Sequence, residues 1–172
     1  FHSSLSGLYC ATSYQEKFIQ QLIHSFKYQP FLKELAKPLA FLIVSHIALL
    51  NKQISPLDTI IPIPIHKKRL KWRGYNHAEE LAKQLGYAYS LPVLTNILLR
   101  PKNTPPQINL DKQQRLKNMQ GAFQIQNVEA IKGKTILLVD DVYTTGATME
   151  HAALVLKKAG AEKIFGAVVA RD

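Results

Sequence analysis

A strand that runs straight into a helix through a turn rich in acids and hydroxyls constrains this chain most. Residues 134–150 read KTILLVDDVYTTGATME. Thr135 to Val139 is an unbroken apolar and β-branched run, the pattern of a central parallel strand covered on both faces. Asp140 and Asp141 follow at once, then Thr144-Thr145-Gly146-Ala147-Thr148. Glu150 to Ala159 has the character of a helix that Gly160 ends.

That turn makes opposite electrostatic demands. Backbone N–H groups at a helix start favour an anion, Gly146 allows close backbone approach, and three threonine hydroxyls add hydrogen bonds. Carboxylates repel phosphate, so Asp140 and Asp141 need another part of the same ligand. Vicinal sugar hydroxyls or a magnesium ion would suit them. A sugar phosphate satisfies both ends. The chain carries no G-x-x-x-x-G-K-[ST] segment, which argues against a P-loop nucleotide enzyme.

The rest of the chain supplies the layers around that strand. Tyr14 to Phe26 places Phe18, Ile19, Leu22, Ile23 and Phe26 on one helical face, and Leu32 to Leu50 predicts a second helix that Pro38 kinks or divides. TIIPIPI, residues 59–65, predicts a strand in which Pro62 and Pro64 mark a sheet edge or the strand's end. It leads into a basic loop, HKKRLKWRGYN, residues 66–76. His77 to Leu85 predicts a helix closed by Gly86, and Val93 to Leu99 a short strand. Residues 100–118 are polar and proline-bearing, a long connection of the kind that is functional or mobile. Gly121 to Ile125 reads as a strand or hairpin arm, and Lys163 to Ala170 as a final strand. Strand, loop, helix and strand in this succession give an α/β fold with a mainly parallel central sheet flanked by helices. Ligands in such folds sit beyond the carboxyl ends of the strands, where the acid pair and the basic loop both fall.

Charge and cysteine content narrow the partners. The net charge is +10, and 11 of the 22 lysines and arginines lie between Lys67 and Lys117, against only Glu79, Glu80 and Asp111. Clustered positive charge attracts polyanions such as pyrophosphate or nucleic acid. Cys10 is the sole cysteine, which makes no internal disulfide and points to a reducing, cytoplasmic setting. The most apolar run, Pro38 to Leu50, has 13 residues, short of the roughly 20 that a membrane span needs. It is expected to be a buried helix.

LLVDDVYTTGATM resembles the signature of type I phosphoribosyltransferases, two acids ahead of a T-T/S-G-x-T loop. IIPIPIHKKRLKWRGYNHAEELA and LLRPKNTPPQINLDKQQRLKNMQGAF precede it in the order found in the ComF group, proteins associated with DNA uptake in natural transformation. The resemblance spans about residues 14–170. It implies a type I phosphoribosyltransferase fold, with residues 1–51 as a small helical hood and 52–172 as the core. Two departures stand out. ComF proteins commonly begin with a four-cysteine zinc module, which here lies upstream of Phe1 or is lacking. Phe26-Lys27-Tyr28-Gln29-Pro30 lacks the glycine that the group more often has after its Lys-Tyr pair.

The resemblance implies a site for phosphoribosyl pyrophosphate (PRPP) with magnesium. Asp140, Asp141, Thr144, Thr145, Gly146, Ala147 and Thr148 would bind the ribose 5-phosphate end, with the two acids also holding magnesium directly or through water. Lys67, Arg69, Arg73 and Gly74 would take the pyrophosphate; of the loop's cations Arg73 is the favoured ligand contact, while Lys67, Lys68 and Lys71 better suit a solvated face. Arg100 and Arg115, in the flexible-loop region, would join the acids at the reacting centre. Two functions are compatible with this. One is a magnesium-dependent phosphoribosyltransferase for an unknown nitrogenous acceptor, in DNA uptake or in nucleobase salvage. The other is a non-catalytic PRPP sensor or single-stranded-DNA-binding protein, with Trp72, Tyr75, Tyr28 and Tyr14 as stacking platforms. Other competence proteins and a second copy of the chain are the expected protein partners.

Overall fold

The computed structural model describes residues 3–50, 56–102 and 121–172. Four parallel strands form the central sheet in the order β1 (Gly7–Ser13), β7 (Lys163–Arg171), β5 (Thr135–Val139), β2 (Thr59–Pro62). A short β6 (Val142–Tyr143) returns to β7, pairing Val142 with Ala170 and Tyr143 with Arg171. Apart from this sheet, β3 (Leu98–Leu99) pairs antiparallel with β4 (Gln124–Ile125).

β5 is buried along its whole length, because successive side chains face opposite layers. Ile136 and Leu138 pack with Ala152, Ala153 and Leu156 of α5 (Ala147–Lys158). Leu137 and Val139 pack instead with three other helices. These are α1 (Lys17–Lys27), α2 (Ala36–Leu49) and α4 (His77–Tyr89). Two cores therefore sit on the two faces of one sheet. Each fully buried Leu or Ile removed from water contributes roughly 1.5–3 kcal/mol before chain entropy is counted.

Several sequence expectations are corrected. Residues 7–13, within the segment expected to form a helical hood, are instead a strand of the main sheet. Pro38 is the third residue of α2, in the first turn, where its missing N–H has no intrahelical acceptor to lose. A 3-10 turn, Lys33–Leu35, precedes that helix. The basic loop contains a seven-residue helix, α3 (Lys67–Arg73). Its His66 side chain accepts from the Lys68 N–H at 3.2 Å, and Gly74 ends it at φ 82°. Gly86 does not close α4, which continues to Tyr89 with Ser90 as its left-handed cap. Gly86 serves packing, since a Cβ there would stand 2.5 Å from Val93 Cγ2. Val93 itself makes only an isolated bridge to Ile60, so the strand expected over 93–99 shrinks to two residues. Pro62 does end β2, the last strand in the pairing order. No described helix is long and apolar enough to cross a membrane.

Candidate functional site

Asp140 and Asp141 sit where β5 gives way to β6, and the ladder with β7 holds them. The Asp140 N–H donates to Ala167 O at 3.1 Å and the Val169 N–H to Asp141 O at 3.0 Å. Val139 pairs with Ala167 and Val142 with Ala170, so both strands advance three residues and the register survives the acid pair. The Asp141 N–H donates to Asp140 Oδ1 at 2.9 Å, and the Val142 N–H to Asp141 Oδ1 at 2.7 Å. One oxygen of each carboxylate is thus anchored to the backbone, which fixes its direction.

Lys27 and His77, from the helical layer, face these acids, and Arg73 stands behind His77. Lys27, the last residue of α1, places Nζ 2.8 Å from Asp141 Oδ2, where Asp141 is 2% exposed. The contact is an ion pair without hydrogen-bond alignment, and Asp141 Oδ2 has no hydrogen-bond partner among the described residues. His77 Nε2 lies 3.5 Å from Asp141 Oδ2 and 3.9 Å from Asp140 Oδ1. Arg73 Nη1 is 3.1 Å from His77 Nδ1. An arginine can only donate, so Nδ1 must be the acceptor and the proton of a neutral His77 belongs on Nε2, facing the acids.

Local sequence explains how His77 gets there. Asn76 caps α4, its Oδ1 accepting from the Ala78 N–H at 3.2 Å, and its Nδ2 donates to Ile63 O at 3.0 Å. One side chain therefore joins the end of the β2 segment to the start of α4 and turns His77 inward. Arg73 is held between Tyr28 and Trp72, 5.2 and 5.8 Å from their ring centroids, and Trp72 meets Phe31 edge-on at 5.3 Å. The Tyr75 hydroxyl donates to Phe26 O and so ties the C-terminal end of α1 to this wall.

The electrostatics follow from burial and neighbours. Burial raises the Asp140 pKa, to about 7, and the adjacent Asp141 charge adds to it. Burial is the largest single influence on Asp141 and opposes its charge, but the Lys27 ammonium, His77 and the bond to Asp140 together outweigh it and hold Asp141 below the usual carboxylate range. Burial likewise opposes the Lys27 charge, yet Asp141 and Asp140 more than compensate and raise its pKa. His77 is pushed down to about 4 by burial and is neutral at pH 7. Arg100 is lowered to about 10, first by burial and then by repulsion from Arg69.

A cleft of about 790 Å³ gathers many of the sequence-predicted residues. Arg69, Arg73 and Arg100 line it together with Asp140, Asp141, Thr144 and Thr148, and Tyr14, Lys27, Tyr28, Trp72 and His77 are also among its walls. This is within the size range of small-molecule sites. A smaller recess of about 20 Å³ adjoins it, lined by Tyr143, Gly146 and Ala147 and sharing Asp140, Val142, Thr144 and Thr148. Gly146 adopts φ 76° ahead of α5, and Thr145 Oγ1 is buried with no partner among the described residues. Lys67 is exposed and outside the cleft lining, and Gly74 acts as the end of α3. Arg115 lies outside the described residues. His77, the first residue of α4, is buried against the acids.

The residues present fit a hard divalent cation. Two carboxylates lie together with His77, their ligand atoms within 4.8 Å of one another, and oxygen donors suit magnesium. The Nε2 proton removes His77 from the donor set while Arg73 holds its other nitrogen.

Residues 70–172 match the phosphoribosyl transferase domain family. The chain belongs to that family, as its parallel sheet and the acid pair ahead of TTGAT would require. Within it the chain is ComF-like. It is 36% identical over 113 residues to competence protein F of Haemophilus influenzae, covering 65% of this chain and 49% of that protein. Competence protein ComFC of Bacillus subtilis is 36% identical over 101 residues, 59% of this chain and 39% of that one. The DNA utilization protein YhgH of Salmonella typhi is 28% identical over 145 residues, 83% of this chain and 63% of that one. The chain thus spans roughly two fifths to two thirds of the length of these relatives. A glutamine PRPP amidotransferase from B. subtilis aligns with 80% of this chain and 25% of its own, at TM-score 0.49 and 18% identity.

Proposed function

We propose that the cleft binds PRPP with magnesium, and that the chain acts as a phosphoribosyltransferase-fold component of DNA uptake or utilisation. The observation that carries this reading is the meeting of two opposite chemistries in one cleft. Asp140 and Asp141 stand beside Thr144 and Thr148, while Arg69 and Arg100 line the same space. Thr145 Oγ1 and the N–H groups at the start of α5 would receive the 5-phosphate. The backbone-anchored carboxylates would accept hydrogen bonds from the ribose hydroxyls. Arg69 and Arg100 would face the diphosphate. Arg73 has the separate task of fixing the His77 tautomer. Asp140 and Asp141 would hold magnesium, which supplies charge neutralisation on the leaving diphosphate.

Transfer would break the C1–oxygen bond as diphosphate departs and form a bond from C1 to an acceptor nucleophile. Positioning and electrostatics would carry this step. His77, neutral and with its Nε2 proton toward the acids, is no base. The names of the curated relatives, competence protein and DNA utilization protein, are the support for the biological setting. A non-catalytic PRPP sensor that contacts single-stranded DNA is the second reading. It is favoured by Trp72, 59% exposed beside Arg73 and Tyr28, and by the net charge of +10.

Thermal-shift titration separates these readings. Wild-type protein should be stabilised by PRPP only with magnesium, and the Asp140→Asn, Asp141→Asn double variant should lose that response. An equal response in both proteins would refute the role of the acids. Consumption of labelled PRPP in the presence of candidate acceptors would mark an enzyme. Salt-sensitive oligonucleotide binding without consumption would mark the sensor.

A further inference from the structure

We infer that Lys27 is a built-in counterion of Asp141 that a divalent cation must displace, so that the end of α1 reports whether the acid pair is occupied. The inference rests on the magnesium-binding reading above and assigns a role to Lys27, which that reading leaves unused.

The geometry sets up a competition. Lys27 Nζ stands 2.8 Å from Asp141 Oδ2, with side-chain exposures of 23% and 2%. Asp141 Oδ1 is already occupied by the Val142 N–H at 2.7 Å. Oδ2 is therefore the oxygen left for a metal, and Lys27 covers it. An ammonium and a divalent cation cannot share one carboxylate oxygen in a buried site without strong repulsion. Binding of one expels the other.

The structure also gives Lys27 somewhere to go. Its stem is flexible, and it lines the cleft of about 790 Å³. The backbone need not move, because the Tyr75 hydroxyl holds Phe26 O and the Tyr28 N–H donates to His24 O at 2.8 Å. Only the side chain swings. His77 stays with the acids, since Arg73 at 3.1 Å and the Asn76 cap fix it from the other side. Displacement thus converts metal binding into exposure of one ammonium inside the cleft, on the wall shared with Tyr28.

Two measurements test this, with Mn²⁺ alone as the probe. The first is lysine acetylation of the wild-type chain read by mass spectrometry. Lys27 should be protected without metal and should label faster as Mn²⁺ rises, while Lys67 and Lys68 do not change. The second is calorimetry of Mn²⁺ binding to wild type and to Lys27→Met. Removing the competitor should tighten binding on the order of tenfold; Lys27→Arg, which keeps the charge, should not tighten it. Lys27 labelling that ignores bound Mn²⁺, weaker binding to Lys27→Met, or binding to neither protein would overturn the inference. The labelling experiment needs no variant and so survives a folding defect in Lys27→Met. Metal-driven labelling without any PRPP binding would sink the sugar-phosphate reading and leave the counterion role standing.

Discussion

Gly146→Ala isolates the steric logic of the loop ahead of α5. Gly146 sits at φ 76°, and a Cβ there would lie 2.2 Å from Tyr143 Oη and 2.4 Å from Cζ. The substitution therefore imposes two costs. A left-handed backbone at a non-glycine residue costs about 1 kcal/mol. Displacing the stiff Tyr143 ring adds about 2 kcal/mol, as overpacking does elsewhere. Gly133 supplies the control, with φ 69° and no atom within 4 Å of its added Cβ. Gly133→Ala should cost only the backbone share, about 1 kcal/mol. In a chain of this size the two variants should melt about 9 °C and about 3 °C below wild type. Differential scanning calorimetry in matched buffer reads both. Tyr143→Ala in the Gly146→Ala background should recover part of the difference. Equal losses for the two glycines, or no recovery, would refute the contact between Tyr143 and the loop.

Other expectations follow from single contacts. Asn76→Ala breaks the cap on α4 and leaves the Ile63 carbonyl without its donor; a loss of about 2 kcal/mol is expected by chemical denaturation, and a loss under a few tenths would contradict the tether. Tyr75→Phe removes the hydroxyl donated to Phe26 O and should cost about 1 kcal/mol, measured the same way, with proteolysis of the α1 end accelerated. Charge reversal at Arg69 and Arg100 together should abolish diphosphate binding in calorimetry while leaving ribose 5-phosphate binding in place; loss of both ligands would show that the arginines are not confined to one end. Burial raises the Cys10 pKa, so a thiol reagent should react slowly at neutral pH and faster as pH climbs past the ordinary thiol range. Rapid, complete labelling at pH 7 would contradict that environment.

The sequence announced the sheet's interior because that depends on local pattern. Thr135 to Val139 had to be covered on both faces, and it is. The acid pair and TTGAT were readable for the same reason: their chemistry is contiguous. β1 was hidden because GLYCATS mixes apolar and hydroxyl residues, and its partly exposed side chains fit an outer strand that, among the described residues, pairs with β7 alone. α3 was hidden because Lys67–Arg73 has no apolar stripe; Leu70 and Trp72 are both exposed, and caps rather than burial set its ends. His77 could not be read as part of the acid cluster, since its place depends on Arg73, Asn76 and Lys27 converging from separate helices and loops. Contacts between distant segments leave no period in the sequence.

Calorimetric titration of the wild-type chain with PRPP, with and without magnesium, tests the central claim most directly. Saturable binding that requires magnesium, and that pyrophosphate competes away, is expected. PRPP binding indifferent to magnesium, or no binding in either condition, would contradict it.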